Sequence, residues 1–372
     1  MKKNTLLTIF IVILSTLGGI MHRTMSRKSP TPASDGGKPI FGTLFTDHMF
    51  IMDWNEHSGW HNHRIDTYRP FSVDPASLHM HYGQEIFEGM KAFFTDDQNI
   101  VLFRPHDHLH RFNMSAHIMS MPAIDVEITL EWLKKLIAVD RIWVPQEKGQ
   151  SLYIRPTMIA TETTINLKPS SQYTFFIILS PVCSFYDKGF NPISIMATDT
   201  YTRSSVGGVG MAKTGGNYAA SMRAQVEAHK AGYAQVLWLD PVERRYVEEV
   251  GTMNVFFVID NVLVTPALTN TILSGITRRT VLEIAKKWNM PTDERRISID
   301  EVVNAITSGK LTEAFGTGTA VGIAPIGNLS YQNNEYQING NETGPIAHKI
   351  YNELMNIQQG KTCDNAWIES IV

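Results

Sequence analysis

In the stretch Ser204–Tyr218, five glycines surround one lysine, Lys213. Glycines let the backbone come close to a flat or charged ligand. A lysine in that setting can attack a carbonyl to form an imine, or serve as the counterion of a phosphate. The counterion reading has a definite form. Gly207–Thr214 falls one residue short of a nucleotide-binding phosphate loop, because Ala212 stands where a glycine should precede Lys213-Thr214. Val236–Asp240 resembles the apolar strand ending in aspartate that holds magnesium in such enzymes. Two details count against it. The polar run Asp199–Ser205 stands where a buried strand is needed, and Gly215-Gly216 are poor formers of the helix that should follow. An NTPase is therefore the rival reading from a different class.

The imine reading asks for more partners. A carboxylate beside a cofactor ring nitrogen keeps that nitrogen protonated and makes the ring an electron sink. A phosphate takes an arginine and free backbone N–H groups at a helix start. Glu249 is a carboxylate at a strand terminus, and Gly275-Ile276-Thr277 lies where a helix begins. Gly316-Thr317-Gly318-Thr319 is a second turn rich in hydroxyls and glycine. Glu248 competes with Glu249, but alternate side chains of a strand face opposite ways, so only one of them points into a site. Arg104 and Arg111 compete for the phosphate. The 13 histidines include His57, His61 and His63, the pair His79 and His81, and His106, His108 and His110. Their alternate spacing resembles some zinc sites, yet no Cys, Asp or Glu completes a ligand set. They are read as loop and helix-surface residues, and no metal is expected.

These groups need elements to hold them. His48–Trp54 reads as a strand, and Gly89–Phe94 with Ile100–Phe103 as a hairpin. Pro105 opens a helix through Met119. The spacing of Leu130, Leu133, Leu136 and Ile137 predicts an amphipathic helix over 130–143. Ser151–Thr161 and Tyr173–Ser180 are strands, the second so continuously apolar that it should be central. Pro181–Pro192 reads as a linker. Beyond it come a strand at Ile193–Ala197, a helix at Tyr218–Lys230 and a strand at Gln235–Leu239. A tight hairpin follows through Asp260-Asn261. Helices are expected at Thr277–Asn289, after the capping box Ser298/Glu301, and at Pro345–Gln359. The organisation is α+β: an N-terminal segment and linker (1–38), a small α/β domain (39–182), an interdomain linker (183–192) and a large ligand-binding domain (193–372).

The 372 residues carry 33 basic and 36 acidic side chains, a formal charge of −3 with no long basic run, which argues against nucleic-acid binding. Two cysteines, Cys183 and Cys363, exclude a disulfide framework and fit a reducing compartment. The expected location is cytoplasmic. The apolar run Leu6–Ile20 behind Lys2-Lys3 leaves an exported or membrane-anchored protein as the alternative, with membrane contact through residues 6–20 alone. A start at Met21 or Met25 is the third reading. Ser26–Lys38 reads as a flexible linker.

Glu249-x-Gly251-x-x-Asn254-Val255-Phe256, Leu263-x-Thr265 and Leu273-x-Gly275-Ile276-x-Arg278 together resemble the signature of class IV pyridoxal-phosphate aminotransferases at every fixed position. Phe41–Met49, Tyr82 with Phe87–Phe93, Leu102–Pro105, Tyr153–Pro156 and Gly215–Tyr218 resemble the branched-chain amino acid aminotransferases of eukaryotic-like type. The resemblance runs from about Phe41 to the C-terminal helix. It implies a fold-type IV enzyme, with a smaller N-terminal α/β domain and a larger C-terminal pseudo-barrel, that is a homodimer. It implies pyridoxal 5'-phosphate as cofactor and transamination of leucine, isoleucine and valine with 2-oxoglutarate. By resemblance, Lys213 bonds the cofactor and moves the proton, and Glu249 pairs with the ring nitrogen. Tyr218 meets the phenolic oxygen. Arg111, Ile276, Thr277 and Thr319 hold the phosphate. Tyr82, Phe87 and Tyr153 line the side-chain pocket, Arg155 takes a distal carboxylate, and Thr252 with the Ala320 backbone takes the α-carboxylate. The chain departs from the mammalian enzymes at Val321 and Ala324, which replace a redox Cys-x-x-Cys, so no thiol switch is implied. It departs again at Phe185, where tyrosine is usual.

Overall fold

The computed structural model describes residues 34–35, 38–39, 41–147, 149–183, 190–361 and 365–371. The apolar run 6–20, most of the 26–38 linker, Phe185, Tyr186 and Cys363 lie outside them. Among the described residues, no helix is long and apolar enough to cross a membrane.

Alternating large apolar side chains in the first half build an antiparallel sheet. After a two-residue pair, β1 (Ser34–Asp35) and β2 (Lys38–Pro39), come β3 (His48–Asn55), β4 (Gly59–Thr67), β5 (Glu85–Phe87), β6 (Met90–Phe94), β7 (Ile100–Phe103), β8 (Ser151–Ala160) and β9 (Gln172–Val182). The central strand is β8 beside β9, in the order β7-β6-β8-β9-β3-β4, with β5 also pairing β8. The helices of this half are α1 (Leu78–Tyr82), α2 (Pro105–Ile118) and α3 (Val126–Val139). The last two pack on the sheet: Phe112 of α2 meets Phe175 edge-on at 5.3 Å, and Trp132 of α3 stacks on Phe50 at 5.2 Å. Helix α3 starts four residues before the leucine repeat because the Asp125 side chain caps it by accepting from the Ile128 N–H.

The second half is a barrel. Its strands are β10 (Ile193–Thr198), β11 (Gln235–Leu239), β12 (Val247–Val250), β13 (Met253–Ile259), β14 (Val262–Pro266), β15 (Thr292–Arg295), β16 (Leu311–Gly318), β17 (Gly322–Tyr331) and β18 (Asn334–Gln337). Six of them close on themselves in the order β12-β11-β10-β17-β16-β13, and β13 returns to β12. Closure removes the exposed strand edges. The β13–β14 hairpin turns through Asp260 and Asn261, both at positive φ, as expected. Around the barrel lie α4 (Gly215–Lys230), α5 (Ile276–Lys287), α6 (Ile299–Thr307) and α7 (Pro345–Gln358). The Ser298 side chain caps α6 at the Glu301 N–H. The chain then returns: β19 (Ile368–Ser370) adds to β7 on the first sheet. The α+β architecture and the closed barrel are those expected.

One expectation about the elements fails. Gly215 and Gly216, counted against a helix, form the first turn of α4. The main chain there is held against β5, with Thr214 Oγ1 bonded to the Glu85 carbonyl, and this tertiary setting overrides helix propensity. The other objection to a phosphate loop stands, since an irregular segment, not a strand, leads into the glycines.

Candidate active site

A cleft of about 340 Å³ opens between the first sheet and the barrel. Lys213 sits on its wall immediately before α4, and its main chain is clamped from both sides. Its N–H donates to Ser115 Oγ on α2 at 2.9 Å, and its carbonyl accepts from the Phe87 N–H at 2.9 Å. Thr214 Oγ1 donates to the Glu85 carbonyl at 2.7 Å. The lysine is thus fixed by the first half of the chain although it belongs to the second. Its Nζ donates to Tyr218 Oη at 2.8 Å and lies 4.9 Å from the centre of the Phe87 ring.

Glu249 enters the cleft from β12 and is buried. Its Oε1 accepts from the Leu273 N–H at 3.1 Å and from Asn254 Nδ2 at 3.2 Å, and Arg203 Nε lies 2.8 Å from Oε2. Burial pushes this carboxyl up, and Arg203 is the strongest influence pulling it back. Glu248 points elsewhere, to the Thr271 hydroxyl, as the strand alternation requires.

The third corner is suited to an anion. Gly275 precedes α5, so the N–H groups of Ile276 and Thr277 at the helix start face the cleft, with Thr319 beside them. Arg111 reaches this corner from α2 and donates from Nη1 to the Ser274 carbonyl at 3.0 Å. A buried carboxylate holds it: Arg111 Nε to Glu88 Oε1 is 2.6 Å and Nη2 to Oε2 is 2.9 Å. His108 Nδ1 lies 3.0 Å from the same oxygen, Oε2. Burial alone would raise the Glu88 carboxyl, but the Arg111 charge and the His108 contact hold it well below the usual carboxylate range. Arg104, the rival arginine, is bound instead to Asp107, Thr280 and Glu283.

On the remaining wall, Arg155 lies over the rings of Phe87 and Tyr153, at 4.8 and 5.3 Å from their centres. Its Nη2 donates to Tyr153 Oη at 3.2 Å. Arg155 Nε and Thr317 Oγ1 are buried with no hydrogen-bond partner among the described residues. A buried orphan donor is costly unless a ligand completes it. Thr252, Ala320, Val321 and Ala324 also line the cleft, and Lys91 Nζ holds the Ala320 carbonyl at 2.9 Å.

Twelve of the expected site residues therefore meet in one place. Tyr82 does not. It lies on the exposed surface of α1, with its hydroxyl donating to the Ile165 carbonyl at 2.6 Å, and it takes no part in the cleft of a single chain. His108 also departs from the helix-surface role expected: it is buried and paired to Glu88. The part that four residues play at the site escaped the sequence reading: Glu88, His108, Arg203 and Lys91. His108, Arg111 and Ser115 share one face of α2 at helical spacing, and that pattern was a usable signal. Arg203 carried no signal beyond being a charge in a polar run.

A cleft with a lysine, a buried carboxylate, a helix-start anion site and orphaned donors fits a small aromatic ring bearing a phosphate. Comparison with known proteins agrees. The amino-transferase class IV family model matches residues 85–329. Branched-chain-amino-acid transaminase 1 of Bacillus subtilis (strain 168) is 50% identical over 336 residues, covering 90% of this chain and 93% of its own. The solved branched-chain aminotransferase from Thermoproteus uzoniensis with norvaline superposes with a TM-score of 0.71 at 27% identity, over 87% of this chain and 100% of that one. The fold is also that of the branched-chain amino acid aminotransferase from Thermobaculum terrenum, solved in its PLP form. That structure gives a TM-score of 0.71 at 22% identity, over 88% of this chain and 99% of its own.

Proposed function

The chain belongs to the class IV aminotransferase family, and on that premise we propose how its cleft moves an amino group. It is a branched-chain-amino-acid transaminase, passing the amino group reversibly between leucine, isoleucine or valine and 2-oxoglutarate. Pyridoxal 5'-phosphate is the cofactor the residues fit; when bound, it supplies the electron sink that makes the substrate α-proton removable.

Lys213 is the group that holds this cofactor and moves that proton, with Nζ steered by Tyr218 Oη. Tyr218 would meet the phenolic oxygen and Glu249 the ring nitrogen. Arg111, the N–H groups of Ile276 and Thr277, and the Thr319 hydroxyl would hold the phosphate. Thr252 and the Ala320 backbone receive the substrate α-carboxylate. Phe87 and Tyr153 flank the substrate side chain.

One observation supports the two-substrate reading above the rest. Lys213 Nζ and Arg155 both lie within 5 Å of the Phe87 ring centre. A single small substrate can therefore reach the proton carrier and the guanidinium together. A branched aliphatic chain meets the aromatic faces; the distal carboxylate of glutamate or 2-oxoglutarate meets Arg155, whose Nε has no partner among the described residues. Both substrates use one pocket without charge being buried unpaired.

A homodimer belongs to the same proposal. Met80, Tyr82, Ile165 and Leu167 expose apolar surface where α1 meets the 165–167 segment, and a second copy covers it. Substrate profiling tests the whole. Glutamate formed from L-leucine and 2-oxoglutarate, with none from D-alanine, is the expected outcome; the reverse pattern overturns it.

A further inference from the structure

Glu249 is an unusual place to keep a negative charge. It is 3% exposed, and beside it Glu248 is 5% exposed. Burial raises both carboxyls, and the charge of Glu249 raises its neighbour further, so the site on its own favours protonation. A protonated Glu249 cannot accept a proton held on a ring nitrogen. Something must hold it as an anion.

The surroundings of its two oxygens say what. Oε1 accepts from the Leu273 N–H and from Asn254 Nδ2. Oε2 faces Arg203, whose Nε is 2.8 Å away but not aligned for a directed hydrogen bond, so that contact is between charges. Donors and a cation surround the carboxyl, which suits an acceptor-only anion. Lys213 and Arg111 are the other cations that act on it, and Arg203 outweighs both. A guanidinium does not lose its proton on burial, so its charge is permanent.

Arg203 is fixed as well as charged. It is 8% exposed, and its Nη2 donates to the carbonyls of Gly210, at 3.1 Å, and of Thr271. These carbonyls belong to two segments that the site needs in register. One leads into Lys213; the other supplies the Leu273 N–H to Glu249. The segments touch so closely that a Cβ on Gly210 would lie 2.6 Å from Thr271 Cα.

We infer that Arg203 is a positioning residue that holds Glu249 as an anion aimed into the cleft, so that a proton between Glu249 and the cofactor's ring nitrogen stays on the nitrogen rather than on the carboxyl. The inference rests on the reading of Glu249 as the partner of that nitrogen. Arg203 acts from behind: it does not line the cleft, and its Nε lies 2.8 Å from Glu249 Oε2, so it stabilises the anion more than it repels the protonated ring. It also serves as a mechanical tie between the lysine segment and the Thr271–Leu273 segment. A purely structural arginine would do only the second.

The test is the ring-nitrogen ¹⁵N chemical shift of labelled pyridoxal 5'-phosphate bound to the protein. In the wild type the nitrogen reads as protonated. In Glu249→Gln it reads as unprotonated; a protonated nitrogen there overturns the Glu249 reading, and this inference with it. In Arg203→Met the ratio of protonated to unprotonated nitrogen falls by roughly 10- to 1,000-fold, the effect of removing one adjacent opposite charge. Arg203→Lys restores it, because it returns the charge without the fork. A wild-type shift in Arg203→Met, with Glu249→Gln behaving as expected, overturns the inference alone. Should Arg203→Met not fold, the cofactor-free wild type decides: the ¹³C carboxyl resonance of Glu249, assigned through Glu249→Gln, belongs to an ionised group at pH 7, and a protonated group there overturns the inference.

Discussion

Replacing Arg155 with methionine should split the two half-reactions apart. The guanidinium lies on the faces of Phe87 and Tyr153 and makes one directed bond, from Nη2 to Tyr153 Oη at 3.2 Å. Among the described residues its Nε is buried without a partner, which leaves a donor for a ligand to meet. Methionine is similar in length and packs well on aromatic faces, so the apolar lining survives. What goes is the charge-assisted contact to a distal carboxylate. Hydrogen bonds to charged groups contribute about 1.5–3 kcal/mol each, so a loss of about 3 kcal/mol is a moderate expectation, or roughly 150-fold in kcat/KM. Leucine has no distal charge, and its kcat/KM should stay within about threefold, because only uniform apolar contact is altered. The assay follows each half-reaction separately through the absorbance of the bound cofactor, with L-glutamate or L-leucine as the sole substrate. Equal losses for both substrates would refute the reasoning, since Arg155 would then support the pocket as a whole and not read the carboxylate.

Glu88→Gln keeps the shape under Arg111 but removes the counter-charge; breaking a buried pair costs about 3–5 kcal/mol, so the cofactor-free protein should melt at lower temperature and bind pyridoxal 5'-phosphate more weakly, read by calorimetry and cofactor titration. The same pair has an acid signature. The folded-state carboxyl is held low, so its stabilisation is present above the ordinary glutamate range near pH 4.5 and fades as pH falls below it, and Glu88→Gln should lack that acid-side loss in urea unfolding curves. Lys91 works in the opposite pH range. Burial pulls its ammonium down to about 8 from 10.5, so between those values the unfolded chain binds more protons and stability rises with pH. Lys91→Met should flatten that rise; an unchanged slope between pH 8 and 10.5 would show that the amine is solvated in the folded state.

The sequence was most informative where a backbone rule fixes a side chain's direction. Strand alternation required that only one of Glu248 and Glu249 enter the cleft, and the family resemblance named Glu249; the helix start at Gly275 was legible from local chemistry alone. It was least informative where a contact spans the chain. Glu88 meets Arg111 across 23 positions, Arg203 meets Thr271 across 68, and Lys91 meets Ala320 across 229. No periodicity reports such pairs. The return of β19 to the first sheet is of the same kind, a three-residue strand with no pattern of its own. Gly215 shows the converse: a residue read by propensity alone, where the docking of the Lys213–Thr214 main chain on β5 outweighs propensity. Tyr82 shows a limit of resemblance, which assigns a role without saying which chain's cleft the residue reaches.

Lys213 carries the whole account, and covalent capture tests it most directly. The wild-type protein loaded with pyridoxal 5'-phosphate is reduced with borohydride, digested and mapped by mass spectrometry. The account predicts that the cofactor's mass is added to the peptide containing Lys213 and to no other, and that Lys213→Ala takes up no covalent cofactor while keeping its fold. Capture on another lysine, or amino transfer retained at the wild-type rate in Lys213→Ala, would contradict it.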